Sequence, residues 1–142
     1  MGKKRIVKKG SSGAESGGRA STKVSKKKLI SGTLHVQATF NNTKAVLTDK
    51  AGNAVLSSSS GALGFEGAER GTTFAASKVG ELLAGKAEVL GLEDIDVVIR
   101  GVGSGREPTV RAFIARGYEL TGIRDETPVP HNGPKAKKPR RV

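Results

Sequence analysis

From Gly32 the chain alternates. Leu34, Val36, Ala38 and Phe40 are apolar, and Thr33, His35, Gln37 and Thr39 between them are polar. A period of two is that of a strand with one face buried, so a first strand is predicted here with Phe40 on its inner side. Asn41-Asn42-Thr43 interrupts the pattern, and Lys44 to Thr48 resumes it around Val46 and Leu47. Asp49-Lys50-Ala51-Gly52 is a turn by composition, and Asn53 to Ser60 reads as a third strand. Three strands joined by short turns predict an antiparallel meander.

The period then changes. Residues 57–72 are small, polar and Gly-rich with Phe65 as the only large apolar anchor, which predicts a long surface loop. A helix is predicted from Phe74 to Leu90, with Thr72 or Thr73 as N-cap. Val79, Leu82, Leu83 and Leu90 fall mostly on one face, while Lys78, Glu81, Lys86 and Glu88 point outward. Gly80 and Gly85 weaken this helix by about 1 kcal/mol each relative to Ala, which implies close packing or tolerated strain. Gly91 closes it. Ile95, Val97, Val98 and Ile99 form a β-branched run suited to a buried strand. After the turn Arg100-Gly101-Val102-Gly103-Ser104-Gly105-Arg106, the residues Val110, Phe113, Ile114 and Gly117 recur at helical spacing, with Pro108 in the first turn. Gly117 suits a left-handed C′ position, and Tyr118 to Arg124 reads as a last strand. The order βββαβαβ predicts an α/β fold: a mixed five-stranded sheet with two helices, its last strands parallel through a right-handed crossover.

Charge divides the 142 residues into three parts. Residues 1–28 hold ten Lys/Arg against Glu15 alone, and 126–142 hold five against Glu126. The intervening 29–125 hold ten against eleven acids. The excess of the +12 net charge therefore sits in two tails around a nearly neutral domain. Residues 1–28, rich in Gly, Ser and Lys, have almost nothing to bury and are expected to be a disordered basic arm that orders only against phosphate. Tails of this kind bind polyanions, and they lack the large apolar residues that would insert into a membrane surface. The basic start is followed by Gly and Ser rather than an apolar stretch, so no secretory signal is expected. With no cysteine and two isolated histidines, disulfides and zinc sites are not expected, and a cytoplasmic setting is.

A glycine-lined turn at a helix N-terminus between two arginines can meet an anion. The common enzymatic forms of such a turn fail here. A dinucleotide fingerprint needs its third glycine at 106, where Arg106 stands; Gly105-Arg106-Glu107 lacks the Lys-Ser/Thr of a P-loop; Val102 and Arg106 replace the glycines of a nucleophile elbow around Ser104. The first strand carries no acid, so a two-metal nuclease is not expected; Asp94 and Asp96 more often solvate a strand start, and His35 is one polar position of an alternating strand. What remains is binding. Arg100, Arg106, Arg111 and Arg116 lie within seventeen residues and, with the turn, predict a phosphate cradle. With four Phe and one Tyr, and Phe40 and Phe113 expected inside, base stacking is not expected as the main mode. Backbone and shape recognition of structured RNA fits better, with no cofactor and no catalysis. A nucleotide-binding enzyme and a free-standing RNA- or DNA-binding protein are the alternatives.

Four motifs carry a resemblance. Phe40-Asn41-Asn42-Thr43, Arg70-Gly71-Thr72-Thr73-Phe74-Ala75-Ala76, the turn ending Gly105-Arg106-Glu107, and Ile123-Arg124-Asp125-Glu126-Thr127-Pro128-Val129-Pro130-His131-Asn132-Gly133 before a basic tail occur in this order. Together they resemble the bacterial family of small-ribosomal-subunit protein eleven over about residues 30–142. The resemblance implies a ribonuclease-H-like fold without catalytic acids. It also implies a place on the subunit platform bridging ribosomal RNA helices and lining the cleft for the messenger's Shine–Dalgarno helix. Implied neighbours are small-subunit proteins seven and eighteen, and twenty-one where present; no homo-oligomer is expected. Lys3, Lys4, Arg5, Lys26, Lys27, Lys28, Asn41, Asn42, Thr43, Arg70, Arg100, Arg106, Arg111, Arg124, His131, Asn132, Lys137, Lys138, Arg140 and Arg141 are then the expected RNA-binding residues. Asn132-Gly133 favours succinimide formation, because glycine does not hinder attack on the Asn amide, and the family resemblance implies an isoaspartate there. Val102 and Ser104 depart from the family's prolines, and Pro134-Lys135 from its Cys-Arg.

Overall fold

The computed structural model describes residues 28–139. Their elements are β1 (Ser31–Ala38), β2 (Thr43–Thr48), β3 (Ala54–Ser59), α1 (Thr73–Val89), β4 (Asp94–Arg100), α2 (Arg106–Ile114) and β5 (Glu119–Asp125). The five strands form one sheet in the order β3-β2-β1-β4-β5. β1, β2 and β3 pair antiparallel, whereas β1–β4 and β4–β5 pair parallel. This is the expected ribonuclease-H-like mixed sheet with two helices.

Register explains the burial. Leu34 stands opposite Leu47 on one side and Val97 on the other, and Val36 opposite Ala45 and Ile99. These residues share the sheet face that meets Val79, Leu83, Ala84 and Ala87 of α1 and Val110 and Phe113 of α2. The opposite face carries Gln37, Lys44, Arg100 and Arg124 around the half-buried His35. Val98 lies on that second face yet is almost fully buried, between His35 and Arg124. The β-branched β4, between β1 and β5, is thus the buried strand its composition predicts.

α1 presents small residues to α2. A Cβ at Gly80 would lie 2.4 Å from the Thr109 carbonyl oxygen and 3.0 Å from the Ala112 Cβ, so the two helices meet at a distance only glycine permits. The Thr109 hydroxyl donates to the carbonyls of Gly105 (2.8 Å) and Ala76 (3.3 Å), bonding α2 to α1 as well as to its own first turn. At Gly85 the nearest group is the Arg116 guanidinium at an ordinary 3.6 Å, so that glycine marks no close approach. Below the helices, Tyr118 stacks on Phe113 at 4.9 Å between centroids and donates its hydroxyl to the Ala84 carbonyl at 2.6 Å. Burial, with the Glu88 charge second, raises the Tyr118 pKa above its usual range.

Three expectations are corrected. β1 ends at Ala38, and Phe40 is 78% exposed rather than buried. Thr39 is the reason: its N–H (2.8 Å) and hydroxyl (3.1 Å) both donate to the Asn42 carbonyl, turning the chain before the alternation can continue. Residues 57–72 are not one long loop. Ser57 to Ser59 complete β3, and two 3₁₀ turns, Gly61–Leu63 and Gly67–Gly71, take up most of the rest. Phe65 anchors them by an edge-to-face contact with Phe74. Finally, Leu82 is only half-buried; Ala75, Ala76, Ala84 and Ala87 line the buried face instead.

Candidate nucleic-acid interface

The C-terminal ends of β1 and β4 and the N-termini of α1 and α2 converge on one corner, the usual place for a ligand in a sheet with parallel strands. Close backbone approach assembles it. The Gly103 N–H donates to the Ala38 carbonyl at 3.0 Å, and a Cβ at Gly103 would fall 2.2 Å from the Thr39 oxygen. A Cβ at Gly71 would fall 2.3 Å from the Phe40 oxygen. Ser104 donates its hydroxyl to the Gly71 carbonyl at 2.8 Å, tying the glycine turn to the entry of α1. There Thr72 is the N-cap, its hydroxyl oxygen accepting from the Ala75 N–H at 3.3 Å. Segments 39–42, 70–72 and 101–105 are therefore one unit.

The same corner holds the exit of β5. Thr127 donates its hydroxyl to Asp125 (2.6 Å) and accepts from the Gly101 N–H (3.2 Å). Arg106 pairs with Asp125 and donates to the Gly101 carbonyl at 2.6 Å. The Thr127 hydroxyl, then Arg106, holds the Asp125 carboxyl down at a pKa of about 2. Arg100 reaches Glu126 at 3.0 Å and, with Arg124 nearby, lowers that carboxyl too. With Glu126 N–H on the Ile99 carbonyl at 2.9 Å, the chain beyond β5 leaves from a fixed point beside the turn.

The expected site residues sort by this geometry. Asn41, Arg70, Arg100, Arg111 and Arg124 are exposed, and Asn42 is half-buried. Arg70 makes no ion pair with a described residue, whereas Arg111 pairs with Glu107 at 3.2 Å and Arg124 more loosely with Glu126 at 3.6 Å and Asp96 at 3.8 Å. Arg116 stands apart, on Glu88 at 2.9 Å. Lys28, His131, Asn132, Lys137 and Lys138 are exposed, and Asn132 has a φ of +57°. Lys3, Lys4, Arg5, Lys26, Lys27, Arg140 and Arg141 lie outside the described residues.

Two assignments change. Thr43 is completely buried, and Gly105 above it has no room for a Cβ, which would lie 2.2 Å from the Thr43 Oγ1; Thr43 is a packing residue. The glycine turn is not an open cradle. The N–H groups of Gly101 and Gly103 are taken within the protein, Glu107 opens α2 with a negative charge, and Arg106 fastens the turn to β5. Sequence reasoning passed over Phe40 as a surface group and Ser104 as a tie. The hydroxyl of Thr39 was the available signal for the first.

Asp94 and Asp96 border a groove with Lys50 and Arg124, and among the described residues no three His, Cys, Asp or Glu gather as a metal set. Fold and corner together give an α/β domain of ribonuclease-H-like topology with a polar corner at the ends of its parallel strands and a chain basic at both ends of its sequence. Residues 32–141 match the family model of Ribosomal protein S11, and the chain belongs to that family. It is accordingly a protein of the small ribosomal subunit that binds its ribosomal RNA within the ribosome and serves translation, in a family that is structural rather than enzymatic.

Proposed function

We propose that the chain sits on the platform of the bacterial small subunit, bridging ribosomal RNA helices with its two basic arms and its corner, and lines the cleft that receives the messenger's Shine–Dalgarno helix. Small-subunit proteins seven and eighteen, and twenty-one where present, are its neighbours there. It acts as a single copy in the cytoplasm. The supporting observation is the partition of charge: a near-neutral folded part, with 126–139 leaving exposed from the corner. Arms 1–28 and 126–142 then supply most phosphate contacts, and Arg70, Arg100, Arg111 and Arg124 the remainder.

Asn132 holds a left-handed backbone beside Gly133 and is exposed, which supports isoaspartate formation at this bond. Peptide mapping of native protein should find a mixture of Asn132 and isoaspartyl products; only unmodified Asn132 would remove the idea. For the main reading, chemical probing of subunits depleted of this protein should expose platform nucleotides near the messenger cleft. Exposure confined to other parts of the subunit would contradict that placement. A sucrose gradient of the cell extract should place the protein with small subunits, and a pool mostly away from ribosomes would favour a free-standing binder.

A further inference from the structure

Phe40 is the most exposed of the chain's phenylalanines, and nothing about it is loose. The turn that bears it is closed by three hydrogen bonds between Thr39 and Asn42. Glycine backbones at 71 and 103 press against the carbonyls of Phe40 and Thr39, which fixes the turn on two sides. The other exposed phenylalanine, Phe74, rests on Phe65 and lies under the Lys78 ammonium, 5.4 Å from its ring centre. Phe40 has no aromatic or cationic partner among the described residues. A rigid turn thus holds an open aromatic face in solvent.

Resting on the ribosomal RNA reading, we propose that Phe40 is a stacking platform for one unpaired RNA base, with the Asn41 amide at the base edge and Arg70 toward the adjoining phosphate. Stacking of this kind is tolerant of sequence, since every base has a π face. The surroundings favour a base over an apolar protein pocket. Asn41 follows Phe40 and is exposed, the Gly71 backbone lies against the Phe40 carbonyl, the Ser104 hydroxyl is bonded to Gly71, and the adjoining turn adds only Val102 as an exposed apolar side chain. Two apolar side chains fall far short of the core of a standard protein interface.

The test is competitive incorporation of isotope-labelled full-length wild type and Phe40→Leu into subunits reconstituted on small-subunit ribosomal RNA. Leucine keeps apolar bulk and loses the ring; Phe40→Tyr keeps the ring. We expect Phe40→Leu to be under-represented by on the order of tenfold, as one lost stack predicts, and Phe40→Tyr to stay within twofold. Ultraviolet cross-linking of wild-type subunits, which needs no variant, should put a nucleotide adduct on Phe40. Equal incorporation of Phe40→Leu, or Phe40 cross-linked to a neighbouring protein and not to a nucleotide, would overturn the stacking role and leave the placement on ribosomal RNA intact. Failure of the wild type itself to enter the subunit would overturn both.

Discussion

At the scale of single residues, the corner is built by what is missing. Gly105 lacks the one carbon that would collide with Thr43 Oγ1 and, at 3.0 Å, with the Ala76 Cβ. Gly105→Ala should therefore cost about 1–3 kcal/mol of stability, read as a lower midpoint in denaturant, and should weaken RNA binding through the displaced turn. Asp125 gives a pH signature of the same corner. Its folded pKa of about 2 lies below its ordinary 3.8, so its contribution is present at neutral pH and disappears as pH falls from about 4 to about 2. Asp125→Asn should flatten the fall in melting temperature across that window. An unchanged profile would mean that the contacts to Thr127 and Arg106 do not hold in solution.

Elements pack here through small side chains. α1 meets α2 through Gly80 and alanines, so Gly80→Val should destabilise by about 1–3 kcal/mol, while Gly85→Ala, whose Cβ would make only an ordinary 3.6 Å contact with the Arg116 guanidinium and which is the better helix former, should be neutral or stabilising by up to about 1 kcal/mol. Thermal melts of the two variants separate these signs. Thr72→Ala should lose about 1 kcal/mol with the N-cap of α1. Much of this level was legible in sequence. Alternation in 32–38, the β-branched run before Arg100 and the glycines at 91 and 117 place five strands and two helices nearly where they stand. Phe40 was misread because alternation measures side-chain type, whereas the strand ends where the Thr39 hydroxyl competes for the Asn42 carbonyl. The alanine face of α1 was missed for a related reason: alanine carries little hydropathic signal, and its burial is decided by a partner helix far along the chain. Thr43 shows the limit for the site. Its motif is visible in sequence, but whether a motif residue faces ligand or core depends on Gly105, sixty-two positions later.

The whole molecule separates folding from charge. The folded part holds itself together through its own hydrogen bonds and apolar packing, and its arginines on the corner and β5 are largely occupied by nearby acids. Exposed ion pairs of this sort add little stability, but they leave the surface close to neutral. The excess positive charge lies in the sequence at the two ends, so affinity for RNA should come mainly from counterion release there, with the corner fixing orientation.

The central claim is that the arms carry the affinity. The direct measurement is the slope of log affinity for small-subunit ribosomal RNA against log salt, for wild type and for a chain with Lys135, Lys137, Lys138, Arg140 and Arg141 changed to Gln. The slope should become shallower by up to about four units, with the folded domain melting as before. Equal slopes would contradict the account for the C-terminal arm, and would leave the binding charge to residues 1–28 and the folded surface.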